Sequence, residues 1–265
     1  MNLTILAVGL IGPGFSDWDQ AKPVLNGLHP YELTEPVIPP PEGLASAERR
    51  RVPQSVKIAL AAAHQVFAQT PVRAEDTQTV FASSGGDGKN CHDLCEALAQ
   101  ADPFLSPTRF INSVHNAAAG YWGIATGSMQ ASASICAHDA SFAAGFLEAA
   151  TMVVTDLEPV GLIAYDVPYP APLHAKRPLC SAMAVAMILG PHDAPDALAR
   201  ITLQGLVESA GDMAMAQPDL EALRAGVPAA RSLPLLVALA GTVAIEVKIE
   251  AMDGQALKMR VVPCN

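Results

Sequence analysis

Short apolar runs along the chain predict strands, and longer segments with apolar residues three or four positions apart predict helices. The predicted strands cover residues 2–8, 78–82, 131–137, 160–166, 182–190, 200–207, 244–251 and 256–262. The predicted helices cover residues 55–69, 88–101, 110–124, 139–153 and 220–225. Strands and helices that alternate in this way are typical of an α/β layered domain.

Residues 18–53 lack this periodicity and are rich in proline, with four prolines between positions 36 and 41. Consecutive prolines fix φ and remove backbone hydrogen-bond donors. We therefore predict an extended surface arm here, without a helix.

The stretch from Phe110 to His138 contains no Asp, Glu, Lys or Arg, although Gly, Ser, Asn, Gln and Thr are interspersed. The pattern predicts a helix over 110–124 followed by a buried strand over 131–137. An uncharged segment of this kind lies either in the core or beneath a partner.

The composition narrows the possible functions. The 265 residues are 51% hydrophobic and 16% charged, which supplies a packed core and excludes disorder as the dominant state. The net charge of −10 disfavours nucleic acid and anionic membranes, which both require clustered Lys and Arg.

Neither a membrane span nor a secretion signal is expected. The longest apolar run, residues 232–245, is shorter than the roughly 20 residues of a membrane span. The N-terminus lacks the basic region of a signal peptide. Five irregularly spaced cysteines do not form a disulfide framework, so we predict a cytoplasmic protein.

No cofactor or metal is predicted. The glycine-rich turn at 9–14 has the wrong spacing for a dinucleotide motif, and its proline removes an N–H that a pyrophosphate would use. Cys91, His92 and Cys95 could form part of a zinc site, but the sequence offers no C-x-x-C pair to complete it. We therefore expect these three residues to serve helix packing and the surface.

The segment 116–150, NAAAGYWGIATGSMQASASICAHDASFAAGFLEAA, resembles the β-ketoacyl synthases, the condensing enzymes of fatty-acid and polyketide synthesis. In that family an N-x-x-x-G motif opens a helix, a glycine follows, and a strand then delivers the nucleophilic cysteine. Asn116, Gly120 and Gly127 stand at the family's spacing. Weaker matches are the opening strand and turn (3–14), the first long helix (55–63), the glycine loop (83–86) and Arg177-Pro178.

The resemblance implies a thiolase-like layered αβα fold that is truncated in its C-terminal half. It implies a single domain over 1–265, in which 1–200 resembles the N-terminal half of a synthase. Residues 201–265 would then be an abbreviated C-terminal part ending in a β-hairpin. We expect the usual five-layered arrangement of the family to be incomplete, with the C-terminal hairpin covering the sheet that is left exposed.

The departures from the family remove its chemistry. Asp139 stands at the position of the nucleophilic cysteine, and a carboxylate is a poor acyl acceptor compared with a thiolate. Cys136 precedes it on the strand and is expected to be a small core residue. The later histidines, His174 and His192, stand in neither of the family's catalytic histidine motifs. The resemblance therefore implies no condensation by this chain alone.

The remaining feature of the family is its dimerisation surface, formed by the strand before the nucleophile and by the preceding helix. The resemblance therefore implies a non-catalytic, chain-length-factor-like partner of a β-ketoacyl synthase, similar to the short subunits of aryl-polyene clusters. It implies these residues near the partner's substrate tunnel or the interface: Arg109, Phe110, Ser113, Asn116, Ser134, Cys136 and His138. For Arg109 the alternative is a surface ion pair, and for Phe110 and Ser113 it is ordinary core packing.

Two other functions stay open. A stand-alone acyl-thioester enzyme could use Cys136 or the pair His138 and Asp139, although neighbours on an extended strand point to opposite faces. A homodimeric module could bind acyl chains or acyl-carrier protein, although the acidic net charge disfavours docking another acidic protein.

Overall fold

The structure, a computed structural model, describes residues 1–209 and 214–264. Within these residues the chain forms one mixed sheet of eight strands. They are β1 (Asn2–Ile11), β2 (Gln78–Ala82), β3 (Ser132–Ile135), β4 (Val160–Asp166), β5 (Met183–Pro191), β6 (Ala199–Glu208), β7 (Ile245–Glu250) and β8 (Gln255–Pro263). Their order in the sheet is β3-β2-β4-β5-β1-β6-β8-β7. The strand β2 runs parallel to β3 and β4, and the other neighbours are antiparallel.

Helices cover both faces of this sheet. Over the same residues they are α1 (Trp18–Leu25), α2 (Ser46–Arg49), α3 (Gln54–Ala68), α4 (Gly88–Leu98), α5 (Pro107–Asn112), α6 (Ala117–Thr126), α7 (Ser141–Asp156), α8 (Leu173–Lys176), α9 (Pro218–Gly226) and α10 (Leu233–Ala240). Short 3-10 turns lie at Ala74–Asp76, His138–Ala140 and Pro228–Ser232. The predicted αβα layering is confirmed, and the described residues form three layers.

Each face of the sheet has its own apolar core. On one face α7 packs against β2 and β4, and Phe142 and Phe146 are fully buried there. Gly145 permits this approach, since a Cβ at that position would lie 2.7 Å from the Ala82 Cβ. On the other face α3 and α6 meet, where the rings of Phe67 and Trp122 stack with centroids 5.3 Å apart. The helix that follows residue 139, α7, is therefore packed directly on one face of the sheet.

The predicted arm over residues 18–53 is wrong at its start, because α1 forms there. The Asp17 carboxylate accepts a hydrogen bond of 2.8 Å from the Gln20 backbone N–H and so caps this helix. Trp18 and Val24 bury its apolar face, and this burial outweighs the disruptive Pro23. The short α2 also lies in this region, whereas the proline cluster itself has no helix or strand.

The predicted helix over 110–124 is also wrong, because it is two helices. The Ser113 hydroxyl donates a 2.8 Å hydrogen bond to the Phe110 carbonyl, which competes with continuation of α5. After this break α6 begins immediately behind Asn116 and ends at Gly127, whose φ is +75°. The family's N-x-x-x-G helix is thus present, but the helix before it is separate.

Near the C-terminus the hairpin is confirmed as β7 and β8, with Asp253 and Gly254 in the turn. It pairs along β6 and extends the sheet there by two strands. The helix α10 was not predicted. Its residues are apolar on every side, so they show no helical alternation of polar and apolar positions.

Candidate functional site

Asp139 lies in the 3-10 turn His138–Ala140, directly before the long helix α7. The family resemblance predicts this placement at the tip of a buried helix. Eight residues of α7 are buried, and the helix packs against the sheet and against the 3-10 turn Pro228–Ser232. The side chain at 139 therefore lies directly before a buried helix, which is the placement that the resemblance implies.

A compact set of contacts defines this turn. The Ser141 hydroxyl accepts a 3.0 Å hydrogen bond from the Ala137 N–H and donates a 2.7 Å bond to the His138 carbonyl. His138 adopts a φ of +53°, in the left-handed region that non-glycine residues rarely occupy. The chain consequently reverses direction within a few residues, between β3 and α7.

Arg177, which follows α8, reaches this turn from another part of the chain. Its Nη2 donates a 2.9 Å hydrogen bond to Asp139 Oδ1, and its Nη1 contacts both ring nitrogens of His138. The side chains of Arg177 and Asp139 are 21% and 41% exposed, so solvent screens the pair only in part. Burial lowers the pKa of Arg177, but hydrogen bonds to Tyr169 and Asp139 raise it overall and keep the guanidinium charged.

The expectation that His138 and Asp139 point to opposite faces is wrong. The His138 Nδ1 lies 3.5 Å from Asp139 Oδ2, because the two residues occupy a 3-10 turn and not an extended strand. Among the described residues Asp139 accepts its hydrogen bond from Arg177 and from no backbone amide. Chemically the site is an ion-paired carboxylate, which is a weak nucleophile.

Cys136 was predicted to be a small core residue, and this is wrong. It is exposed, because it follows an edge strand that is paired on one side only. Its thiol donates to the Ser84 carbonyl at 3.3 Å. The thiol is therefore engaged by the glycine loop rather than by the imidazole of His138.

A buried carboxylate next to this loop was not predicted. Asp166, at the end of β4, accepts hydrogen bonds of 2.8 and 2.7 Å from the N–H and hydroxyl of Ser84 and one of 2.9 Å from the Ala229 N–H. Burial raises the pKa of Asp166 to about 6 despite these bonds. A signal exists in the sequence, since an acidic residue ends an otherwise uncharged strand.

The uncharged stretch is not in the core throughout. Five of its apolar side chains are exposed and form what we call the apolar flank: Phe110, Ile111, Val114, Ile124 and Met129. Phe110 is 61% exposed and Met129 is 95% exposed. Ile111, Val114 and Ile124 line a groove of about 440 Å³ between α2, α5 and α6. The first of the two predicted locations, the core, is therefore excluded for these five residues.

The strand β3 forms one edge of the sheet and was wrongly predicted to be buried. The Thr79 and Ser83 N–H groups donate 3.1 Å hydrogen bonds to the carbonyls of Ala131 and Ile135. In a parallel pair the backbone N–H and C=O groups of every second residue point toward the neighbouring strand. Since Ala131 and Ile135 bond to β2, the intervening Ser132 and Ser134 direct their backbone groups away from β2. No charged residue or proline blocks this edge.

The other predicted site residues lie apart from the turn. Arg109 is exposed with its Nη2 3.7 Å from Asp93, which is the surface ion pair named as its alternative. Asn116 is exposed before α6, and the Ser134 hydroxyl oxygen is buried without a hydrogen-bond partner among the described residues. Over those residues no hydrogen bond or ion pair joins Arg109, Phe110 or Ser113 to the Asp139 turn. The candidate site is thus two regions, the turn and the apolar flank.

Two of the three residues considered for zinc have other partners. The Cys91 thiol donates to the Ser113 carbonyl at 3.8 Å, and His92 Nε2 lies 3.2 Å from Glu96 Oε1. Within 1–209 and 214–264 no helix is long and apolar enough to cross a bilayer.

The fold and the turn together define a class, a layered αβα scaffold of the condensing-enzyme type with an acid directly before a buried helix. Residues 17–237 match the family model of the β-ketoacyl synthase N-terminal domain, and the chain belongs to that family. No curated protein matches it at a significant level.

Solved structures with this fold include synthases in complex with chain length factors. A structure of a ketosynthase with its chain length factor from Xenorhabdus doucetiae matches 98% of this chain and 99% of its own at 21% identity, with a TM-score of 0.73. The ishigamide ketosynthase/chain length factor matches 100% of both chains at 13% identity, with a TM-score of 0.76. A β-ketoacyl synthase from Burkholderia phymatum matches 86% of this chain and 70% of its own at 10% identity, with a TM-score of 0.61.

Proposed function

We propose that this chain is a non-catalytic, chain-length-factor-like partner of a β-ketoacyl synthase and that it shapes the acyl tunnel of that synthase. The observation that carries the proposal is the open edge of β3 on the same uncharged stretch as the apolar flank. The acid at position 139 explains why such a chain needs a partner for chemistry.

The β3 edge supports strand pairing with a partner. Ser132 and Ser134 direct unpaired backbone groups outward, and each such group favours a hydrogen bond from another strand. Natural edge strands that remain single are usually protected by charge or proline, and this strand has neither.

The apolar flank supports a large, dry contact next to that edge. Exposed Phe110, Ile111 and Met129 are costly in water, and covering them contributes roughly 25 cal/mol per Å² of apolar area. An aromatic side chain in such a patch is typical of the centre of an interface.

The ion pair at Asp139 supports the non-catalytic role. The carboxylate is held by Arg177, and the thiol of Cys136 is bonded to the glycine loop. Neither group is presented as an activated nucleophile. The full coverage of chains in two ketosynthase and chain length factor structures is consistent with the same role.

By the family's arrangement, α5 reaches the tunnel of the partner. Arg109, Phe110 and Ser113 lie on or directly after this helix, and Phe110 projects outward. We propose that these three residues line the distal part of the tunnel, with Phe110 limiting its depth.

The proposal is tested by co-expressing the chain with the β-ketoacyl synthases of its own genome. Ser134→Pro removes one outward N–H and no hydrogen bond to β2, so the free chain should keep its unfolding midpoint. Co-purification with the synthase should be lost, because the proline blocks strand pairing. Ser134→Thr keeps the N–H and should co-purify normally. A wild-type chain that co-purifies with none of these synthases would overturn the proposal.

A further inference from the structure

The turn at His138 is strained and needs support from outside its own sequence. A non-glycine residue at φ +53° costs on the order of 1–3 kcal/mol and persists only where surrounding contacts determine it. The Ser141 hydroxyl supplies two of those contacts from within the turn. A contact from outside the turn comes from Arg177, which is 38 residues away from Asp139 along the chain.

Arg177 is suited to hold both residues of the turn at once. Its planar guanidinium presents two Nη atoms, one toward the His138 ring and one toward Asp139 Oδ1. A lysine ammonium is a point charge on a flexible stem and does not match this forked geometry. The contact joins the residue after α8 to the loop that ends β3.

The position of the His138–Asp139 turn is important because the edge strand β3 directly precedes it in the chain. Residues 136 and 137 connect the turn directly to β3, whose outward backbone groups form the open edge. Movement of the turn would shift the carboxyl end of that strand relative to β2. A strand that pairs with a partner needs a fixed register, since a one-residue slip exchanges its two faces.

We propose that Arg177 is a positioning residue, which clamps the His138–Asp139 turn and thereby fixes the carboxyl end of β3 for pairing with the partner. Asp139 then serves as the anchor for this clamp. The second half of the inference rests on the proposed function, whereas the clamp itself is measurable on the chain alone.

The clamp is tested by hydrogen–deuterium exchange of the backbone amides of residues 136–141 in the full chain. Arg177→Ala and Asp139→Ala should each speed this exchange about two- to fivefold, the effect of losing an ion pair that solvent partly screens. Arg177→Lys should give an intermediate rate. Arg73→Ala removes an exposed arginine that pairs with Glu75 before β2, and it should leave these amides unchanged.

Chemical rescue separates the clamp from a general loss of stability. Sodium formate supplies a free carboxylate and should restore slow exchange in Asp139→Ala, where Arg177 is present. It should have no effect in the double variant Asp139→Ala/Arg177→Ala, and sodium chloride of equal ionic strength should not substitute for it. The clamp would be overturned if Arg177→Ala left the exchange rate unchanged, or if formate slowed exchange equally in Asp139→Ala and in the double variant.

Partner binding tests the second half. With the synthase identified by co-purification, Arg177→Ala should weaken the complex about two- to fivefold and formate should restore the affinity of Asp139→Ala. Faster exchange with unaltered affinity would refute the link to the partner. Ser134→Pro tests the interface without touching the Arg177 contact. A failure of the clamp can therefore be distinguished from a failure of the proposed function.

Discussion

At the scale of single residues, Asp166 shows how one buried carboxylate joins distant segments. It binds Ser84 in the glycine loop and Ala229 in the 3-10 turn before α10. These bonds use backbone donors that would otherwise be unsatisfied in the core. The cost is a carboxylate removed from water, which is why its pKa lies well above the ordinary value.

Asp166→Asn should change the pH dependence of stability. The pKa of Asp166 is about 6 in the folded chain against 3.8 ordinarily, so the folded state binds this proton more tightly. Its stabilising contribution is therefore full below the ordinary pKa and is lost as the pH rises through about 6. The free energy of unfolding of the wild type, relative to the variant, should fall by about 1–3 kcal/mol across that window and stay constant above it. Urea unfolding at a series of pH values measures this, and parallel curves would contradict it.

The sequence predicted where some single residues lie in the fold, but it did not predict which side chains they contact. The register of the family motif correctly placed Asp139 before a buried helix. It could not indicate that Arg177 binds Asp139, because side chains far apart in the chain meet only through the path of the fold. Cys136 was misjudged for a related reason, since burial depends on which strand lies at the edge.

At the scale of elements, the C-terminal hairpin is attached by charged groups as well as by strand pairing. Glu250 on β7 lies with Oε2 2.6 Å from Arg231 Nη1 and 3.7 Å from Arg224 Nη1. Arg224 also binds Glu221 through two hydrogen bonds of 2.8 and 2.7 Å. The hydrogen bonds from Arg224 lower the pKa of Glu221 to about 2, so this part of the network stays ionised in mild acid.

Glu250→Gln should destabilise the fold by about 1–3 kcal/mol, because it leaves the nearly buried Arg231 without its closest anionic partner. Glu246→Gln is the matched control on the same strand. Its ion pair with Lys258 is exposed and screened by solvent, so its loss should destabilise the fold clearly less than the loss of Glu250. Thermal and urea unfolding measure both variants. Equal effects would show that the Arg231 contact does not hold the hairpin.

Elements with a short, continuous apolar run, such as β2 and β4, or with apolar residues at helical spacing, such as α3, were predicted well. The errors have local physical causes. A side-chain cap and a buried face produced α1 despite its proline, and a serine hydroxyl divided the helix over 110–124. The uniformly apolar α10 lacks the periodicity that distinguishes a helix from a buried strand.

At the scale of the whole molecule, the proposed complex makes product length depend on Phe110, the exposed aromatic residue of α5. Phe110→Ala should leave the stability of the free chain nearly unchanged, because the ring is 61% exposed. If α5 limits the tunnel, the smaller side chain should shift the products of the reconstituted complex toward longer chains. Mass spectrometry of carrier-bound products measures this shift. Met129→Ala, also on the flank but outside α5, should leave the distribution as it is.

The amino-acid sequence by itself determined where the principal strands lie along the chain, the layered fold class, the family and the acid at position 139. These follow from periodicity and motif spacing, which are local properties of a chain. Only the tertiary structure decided that β3 lies at an open edge, that the apolar flank faces outward and that Arg177 holds the Asp139 turn. Each of these depends on where distant segments come together, and sheet order and long-range contacts leave no fixed spacing in a single sequence.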